Sequence, residues 1–247
     1  GELWDDLVAY AVKNKFYGIE NLTLIPGTVG AAPIQNIGAY GVELKDVLST
    51  VEYFDLRDQS IKKIPNKECR FAYRDSIFKN ELKGKFLITK IVLKLSKEKK
   101  INLSYKSLSE ELAKYPQNEI SIELVSETIK KIRESKLPDP KLLGNAGSFF
   151  KNPEIDTDSF NTFIKEFPDA IFYKQENRYK ISAGWLIEKC GFKGMRIGNV
   201  GSYEKQALIV VNHGNATGSE IKDFADKIVY EVKNKFDVQL FYEVNII

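Results

Sequence analysis

The residues most able to do chemistry lie in three segments, and the first is a glycine-rich stretch at 22–41, LTLIPGTVGAAPIQNIGAYG. Small residues leave its backbone with little side-chain cover, so its N–H groups can approach a flat ring or a phosphate. Gln35, Asn36 and Tyr40 add amide and phenol groups that can bond a planar heterocycle. Neither the GK[ST] nor the GxGxxG phosphate fingerprint occurs. The stretch therefore predicts a cofactor contact, with a tight structural turn as the alternative.

The other two segments are CRFAYRDSIFK (69–79) and NAGSFFKNP (145–153). Arg74 has aromatic neighbours, and a buried guanidinium needs a partner because an unpaired buried charge is costly. A salt bridge to Asp75 and a bond to a ligand carboxylate are equally open. Ser148 follows a glycine and precedes two phenylalanines, which holds its hydroxyl on a constrained loop. A turn or helix cap is the common role of such a serine, and no GxSxG nucleophile elbow is present.

Residue types that are scarce narrow the chemistry. The only histidine, His213, lies in the polar run NHGN, and Cys69 and Cys190 are isolated. This excludes a zinc site and a disulfide framework, and it makes hydrolysis and metal-assisted chemistry poor candidates. The remaining residue types suit a reaction in which a cofactor supplies the difficult step. The protein would then orient the substrate, provide charge to it and protonate it.

Charge and hydropathy exclude two further classes. The 37 Lys+Arg are interleaved with 34 Asp+Glu, for a net charge of +3 in 247 residues, which does not indicate nucleic-acid binding. No apolar run approaches the roughly 18 residues that span a bilayer, and no signal peptide is visible. The sequence predicts a cytoplasmic protein with reduced cysteines.

Hydrophobic periodicity predicts an α+β fold. A helix is expected from about Trp4 to a stop before Gly18, and further helices at about 122–135, near 157–166, from Ser182 to Gly191, and after a capping box at Thr217–Glu220. Strands are expected at about 48–56, 85–96, 207–211 and 238–247. The connector at 136–153 holds three prolines and marks a domain boundary. The expected domains are 1–135 together with 237–247, and 136–236.

Five segments carry a resemblance to a known family. In chain order they are IPGTVGAAPIQNIGAYGVEL, YRDSIFK, KLPDPKLLGNAGSFFKNP, SAGWLIEKCGFKGMRIG and QALIVVN. Together they resemble the UDP-N-acetylenolpyruvoylglucosamine reductase family of bacterial peptidoglycan synthesis, over about residues 3–247. Tyr105, in INLSYKSL, resembles the tyrosine loop of the type I subfamily. The resemblance implies part of a two-lobed, vanillyl-alcohol-oxidase-like flavin domain followed by an α+β substrate-binding domain.

The resemblance also implies a reaction. NADPH passes a hydride to FAD, and the reduced flavin passes it to the enolpyruvyl group of a UDP-sugar. Arg74 would stabilise the enolate charge, and Ser148 would deliver the proton to the neighbouring carbon. Glu243 would act with Arg74 on the enol, although the family often has proline at position 242 and arginine at position 245 of this chain.

The family's binding residues transfer to matching positions. The flavin contacts implied are Ile25, Gln35, Asn36, Gly38, Tyr40 and Arg74. The substrate contacts implied are Tyr105, Arg133, Lys136, Asn152, Tyr173, Lys193 and Gln206. No metal, nucleic acid, membrane or obligate protein partner is expected.

One family feature has no match in this chain. Members begin with a lobe whose Gly-Ser-Asn-type loop grips the FAD pyrophosphate, so roughly the first 80 residues of a typical member are expected to be lacking. The expectation is weak or absent FAD binding by the chain as given, and the alternative function is a UDP-sugar-binding fragment without activity. A sugar or alcohol oxidase of the same broad fold is a weaker alternative, because no flavin-tethering histidine or cysteine is evident.

Overall fold

The computed structural model describes residues 1–175 and 177–246 and forms two compact units, Gly1–Arg133 and the chain from Glu134 onward. The helices are α1 (Trp4–Lys13), α2 (Lys106–Leu112), α3 (Ile122–Lys136), α4 (Thr157–Glu166), α5 (Ala183–Lys189) and α6 (Gly218–Phe236). The strands are β1 (Gly38–Ala39), β2 (Val42–Glu43), β3 (Leu48–Asp55), β4 (Ser60–Pro65), β5 (Phe86–Leu93), β6 (Gly144–Ser148), β7 (Glu154–Asp156), β8 (Phe172–Lys174), β9 (Arg178–Ile181), β10 (Arg196–Ile197), β11 (Val200–Tyr203) and β12 (Gln206–Asn212). The α+β prediction is confirmed.

The first unit is built on an antiparallel sheet of order β4-β3-β5. Central strand β3 buries Val51 and Tyr53 on one face, as the two-residue period of a strand requires. Helix α1 buries Trp4, Val8 and Ala11 in the same core, at the spacing of one helical face. The indole N–H of Trp4 donates to the Leu22 carbonyl at 3.1 Å and so fastens α1 to the start of the glycine-rich segment.

A smaller apolar cluster in the same unit joins α2 to α3. Leu108, Leu112, Val125 and Ile129 are fully buried there, and Tyr40 and Tyr105 pack against them. The segment before α2 is thereby held beside the glycine-rich stretch.

The second unit has a four-stranded antiparallel sheet of order β10-β11-β12-β6 and a smaller sheet of order β7-β9-β8. Helix α6 buries Phe224, Ile228 and Val232 in the core of this unit, and α5 buries Leu186 and Ile187. This core positions β6 and β12, which carry two of the predicted site segments.

Several element boundaries are confirmed. Helix α4 spans the predicted range, Ser182 caps α5 by accepting from the Trp185 N–H at 3.3 Å, and Gly191 follows α5 with φ 80°. The capping box is also present, since Thr217 and Glu220 exchange hydrogen bonds at the start of α6. No helix in the described ranges is both long enough and apolar enough to cross a bilayer.

The chain after α6 differs from expectation. Helix α6 ends at Phe236, and Asp237 after it has φ 53°. As far as the structure describes them, the following residues form a single isolated bridge, Phe150↔Tyr242, where a closing strand was predicted. Val238 and Leu240 are buried in the core of the second unit. The alternation of these two residues reflects packing on that core and not pairing in a sheet. Residues 237–246 group with the second unit, whereas the sequence assigned this tail to the first domain.

Candidate active site

The glycine-rich stretch folds into consecutive turns with an unusual backbone. Leu24, Asn36 and Tyr40 have φ of 63°, 46° and 48°. A left-handed non-glycine residue costs on the order of 1–3 kcal/mol, and such residues cluster at functional sites. The backbone N–H groups of Gly30 and Gln35, and the Gln35 side-chain amide, make no hydrogen bond within the described chain. The loop therefore offers unused donors to a ligand.

Asn36 braces this loop from inside. Its buried amide donates to the Glu43 carboxylate and to the Ala72 carbonyl, both at 3.1 Å, and its Oδ1 accepts from the Lys45 N–H at 2.9 Å. The side-chain amide is thus committed to the protein, which leaves the Asn36 backbone for any cofactor contact. Glu43, which also pairs with Lys45 at 2.6 Å, was not predicted from the sequence.

Arg74 lies against the same loop. It has φ 53°, and its Nη2 donates to the Gly38 carbonyl at 2.7 Å. A Cβ added to Gly38 would stand 3.2 Å from Arg74 Nη1 and 2.9 Å from Glu43 Cγ, so only glycine allows this approach. Asp75 accepts from the Asn80 amide at 2.9 Å. Three of the implied flavin contacts, Asn36, Gly38 and Arg74, are therefore neighbours.

Tyr40, Tyr105 and Arg133 form a second group in the first unit. The two tyrosine rings meet edge to face, with centroids 5.2 Å apart. Burial raises the pKa of Tyr40, and the nearby Arg133 guanidinium, which bonds its hydroxyl, opposes that rise. Burial likewise lowers the pKa of Arg133. The Arg133 Nε is buried and has no hydrogen-bond partner among the described residues, which is uncommon for a buried donor.

Two buried polar residues beneath this group were missed. Glu20 accepts from the Gly18 N–H at 2.6 Å, and burial raises the pKa of its carboxyl against the opposing effect of backbone hydrogen bonds. Asn21, only 1% exposed, donates to the carbonyls of Tyr40 at 2.8 Å and Asn102 at 2.9 Å. The only sign of these two residues in the sequence is that Glu20 and Asn21 form a polar pair flanked by apolar residues.

Replacing Asn21 by alanine is expected to lower the free energy of unfolding by about 1–3 kcal/mol, because two carbonyl groups lose their donor. Asn14→Ala is the matched control, since its amide donates to a single carbonyl in an exposed position at the end of α1. The control should change stability by less than about 0.5 kcal/mol. Urea unfolding measures both, and equal losses would mean that Asn21 does not hold the loop.

In the second unit the chain brings Ser148 and Glu243 to adjoining backbone positions. Exposed Ser148 ends β6, opposite Ile209 of β12. Gly147 has φ 71°, and its N–H donates to Asn145 Oδ1 at 3.0 Å, where the register between β6 and β12 is irregular just before the serine. The next residue, Phe149, accepts from the Glu243 N–H at 2.9 Å.

Asn152 and Gln206 converge on the first turn of α5. Asn152 Oδ1 accepts from the Ala183 N–H at 2.9 Å. A Cβ on Gly184 would stand 2.9 Å from Gln206 Oε1, so the Gln206 amide lies close to the backbone of this turn. Neither amide nitrogen hydrogen-bonds to another described residue. Two donors are therefore free to face a polar ligand.

The remaining predicted contacts are exposed. Lys136 is the last residue of α3, and Tyr173 lies in β8 opposite Lys180. Lys193 pairs with Glu188 at 3.0 Å, so contact with a phosphate would require an exchange of partners.

The cysteines and acidic residues offer no competing chemistry in the described residues. No group of three or more histidine, cysteine, aspartate or glutamate side chains is placed to hold a metal ion there. Burial raises the pKa of Cys69 to about 12, so its thiol stays protonated at neutral pH.

Comparisons with known proteins agree on one family. A model of the UDP-N-acetylenolpyruvoylglucosamine reductase C-terminal domain matches residues 139–247, and an FAD-binding domain model matches residues 1–64. The reductase of Flavobacterium johnsoniae is 47% identical over 100% of this chain and 74% of its own length. The Pseudomonas aeruginosa reductase is 45% identical over 100% of this chain and 73% of its own length.

A solved structure shares the fold. The Thermus caldophilus UDP-N-acetylenolpyruvylglucosamine reductase matches with a TM-score of 0.64 and 26% identity, over 98% of this chain and 69% of that one. These sequence and structural matches show that the chain belongs to the UDP-N-acetylenolpyruvoylglucosamine reductase family of FAD-dependent oxidoreductases.

Proposed function

We propose that this protein reduces the enolpyruvyl group of UDP-N-acetylglucosamine enolpyruvate to the lactyl ether of UDP-N-acetylmuramate, using NADPH through FAD, in peptidoglycan biosynthesis. The observation that carries the proposal is the bond from the Glu243 N–H to the Phe149 carbonyl, which sets a carboxylate-bearing segment beside the residue that follows Ser148. Such a pair suits protonation of a carbanion-like centre.

The glycine-rich loop fits a flavin ring. Gly30 and Gln35 offer unused donors, Gly38 allows a close approach of backbone, and Tyr40 supplies a phenol. Half-buried Ile25 packs on the apolar core next to them. Bound FAD supplies hydride transfer in this reaction. The chain's own part is to hold the ring by loop donors and to keep water from it.

We assign to Arg74 the stabilisation of the negative charge that develops on the substrate. Hydride addition to the methylene carbon of the enolpyruvyl group builds an enolate beside the substrate carboxylate. A guanidinium that is already fixed, here by its bond to the Gly38 carbonyl, stabilises such charge without reorganising during the reaction. Its planar fork also matches a carboxylate.

We assign to Ser148 the role of proton donor. Its Oγ–H would protonate the carbon next to the carboxylate, leaving a serine alkoxide to be reprotonated from solvent. A serine is a weak acid, so the step depends on the basicity of the enolate and on close placement. We assign to Glu243 the role of orienting the groups on the side of the substrate from which Ser148 donates its proton.

The UDP-sugar is assigned to the polar side chains that the family resemblance implies. Asn152 and Gln206 would donate to it through their free amide nitrogens. Lys136 and Lys193 would act as mobile point charges toward the diphosphate. The residues assigned to the nucleotide are Tyr105, Arg133 and Tyr173.

The test is a steady-state assay of NADPH oxidation with and without the UDP-sugar, with the product identified by mass spectrometry. We expect NADPH oxidation to depend on the sugar and to equal the UDP-N-acetylmuramate formed. A protein that binds the sugar by calorimetry, carries no flavin after incubation with FAD, and oxidises no NADPH would contradict the proposal and favour a binding fragment.

A further inference from the structure

The segment that carries Glu243 has little backbone support of its own. After α6 the described chain pairs only at Phe150↔Tyr242, through the bonds Lys151 N–H to Phe241 carbonyl and Glu243 N–H to Phe149 carbonyl, each 2.9 Å. A segment with few backbone hydrogen bonds opens locally at low cost. Side-chain contacts of this segment therefore help to keep Glu243 in register.

Tyr242 supplies that support from two directions. Its ring packs edge-on to Phe149, with centroids 5.7 Å apart, and against Phe150 at 5.6 Å. Its hydroxyl donates to the carboxylate of Asp226 on α6. A hydrogen bond to an ionised acceptor is roughly twice as strong as a neutral one.

Asp226 is itself fixed. It stands next to buried Ala225 on α6, a helix whose apolar face is locked in the core, and it pairs with Lys222 one turn earlier at 2.5 Å. Lys222 and the Tyr242 hydroxyl hold the pKa of Asp226 below its usual range, and burial raises the pKa of Tyr242. At neutral pH the acceptor is therefore charged and the donor protonated.

We propose that Asp226 and Tyr242 are positioning residues that hold Glu243 against Phe149 and thus beside Ser148. This rests on the proposed function for its catalytic consequence, but the structural part stands by itself. The bond from the Tyr242 hydroxyl to α6 restricts the backbone of this segment.

Tyr242→Phe is the direct test, because it keeps the ring and removes the hydroxyl. We expect faster hydrogen exchange at the Glu243 amide, and a fall in kcat for substrate reduction of about 10-fold to 100-fold, since small misplacements cost up to about 10²-fold. KM for the UDP-sugar and the rate of flavin reduction by NADPH should change less than about 2-fold, because the residues assigned to those steps are untouched.

Further variants test whether the effect depends on the hydrogen bond between Tyr242 and Asp226. Tyr230→Phe makes the same chemical change at an exposed position of α6 and should leave both readouts at wild-type values. Asp226→Ala should reproduce Tyr242→Phe, the double variant should add nothing further, and Asp226→Asn, which keeps an acceptor oxygen, should recover part of the loss.

Unchanged exchange at the Glu243 amide in Tyr242→Phe would overturn the inference, as would an equal fall in both half-reactions. Failure of the proposed function looks different. If the proposed function fails, the wild-type protein would not reduce the sugar at all. Hydrogen exchange at the Glu243 amide would still report on the bond between Tyr242 and Asp226.

Discussion

Ser148→Ala is expected to slow reoxidation of the reduced flavin by the UDP-sugar by about 10²–10⁴-fold, the usual contribution of general acid catalysis. The hydroxyl is the only group of this residue assigned to the reaction. Removing it leaves the pairing of β6 with β12 unchanged, because that pairing uses the backbone. Reduction of the flavin by NADPH should keep its wild-type rate, so rapid mixing of each half-reaction separates the two steps.

Ser219→Ala is the matched control for that prediction, since Ser219 is an exposed serine of the same unit in the first turn of α6. It should leave both half-reactions unchanged. Wild-type reoxidation in Ser148→Ala would remove Ser148 from the role of acid and leave it a residue that only pairs β6 with β12.

Arg74→Lys is expected to lower kcat for the sugar by about 10²–10³-fold, the cost typical of losing one preorganised donor to an oxyanion. The charge is retained, but the bond from Nη2 to the Gly38 carbonyl and the planar fork are lost. Because the ammonium is more mobile, it must be brought into place as the negative charge develops. Steady-state kinetics with the UDP-sugar, together with the flavin absorption spectrum, measure this effect.

Arg70→Lys provides the comparison. Arg70 shares the left-handed backbone of Arg74, with φ 49°, but it pairs with Glu81 at an exposed position. Its replacement should change turnover little. An unchanged turnover in Arg74→Lys would show that Arg74 only supports the loop and carries no catalytic charge.

The elements of this fold are predictable because their signals are local. Amphipathic spacing in α1, the capping box before α6 and the serine cap of α5 each depend on residues close in the chain. The tail after Asp237 shows the limit of such signals. Alternate burial at Val238 and Leu240 produces the period of a strand, and only tertiary packing decides that the chain lies on a core without pairing.

The candidate site was predictable in part. The sequence identifies a glycine-rich loop and the neighbouring Arg74, because small residues and an arginine in aromatic company are visible locally. It does not identify Asn21 or Glu43, whose bonds reach distant segments, nor the pairing of Arg133 with Tyr40. Such long-range hydrogen bonds have no periodic trace in a sequence.

Hydride transfer from reduced flavin to an enolpyruvyl UDP-sugar can be observed in a single turnover. Protein reconstituted with FAD is reduced anaerobically, freed of excess reductant and mixed with UDP-N-acetylglucosamine enolpyruvate. We expect oxidised-flavin absorbance to return and UDP-N-acetylmuramate to appear in equal amount. Flavin that stays reduced while the sugar binds would contradict it.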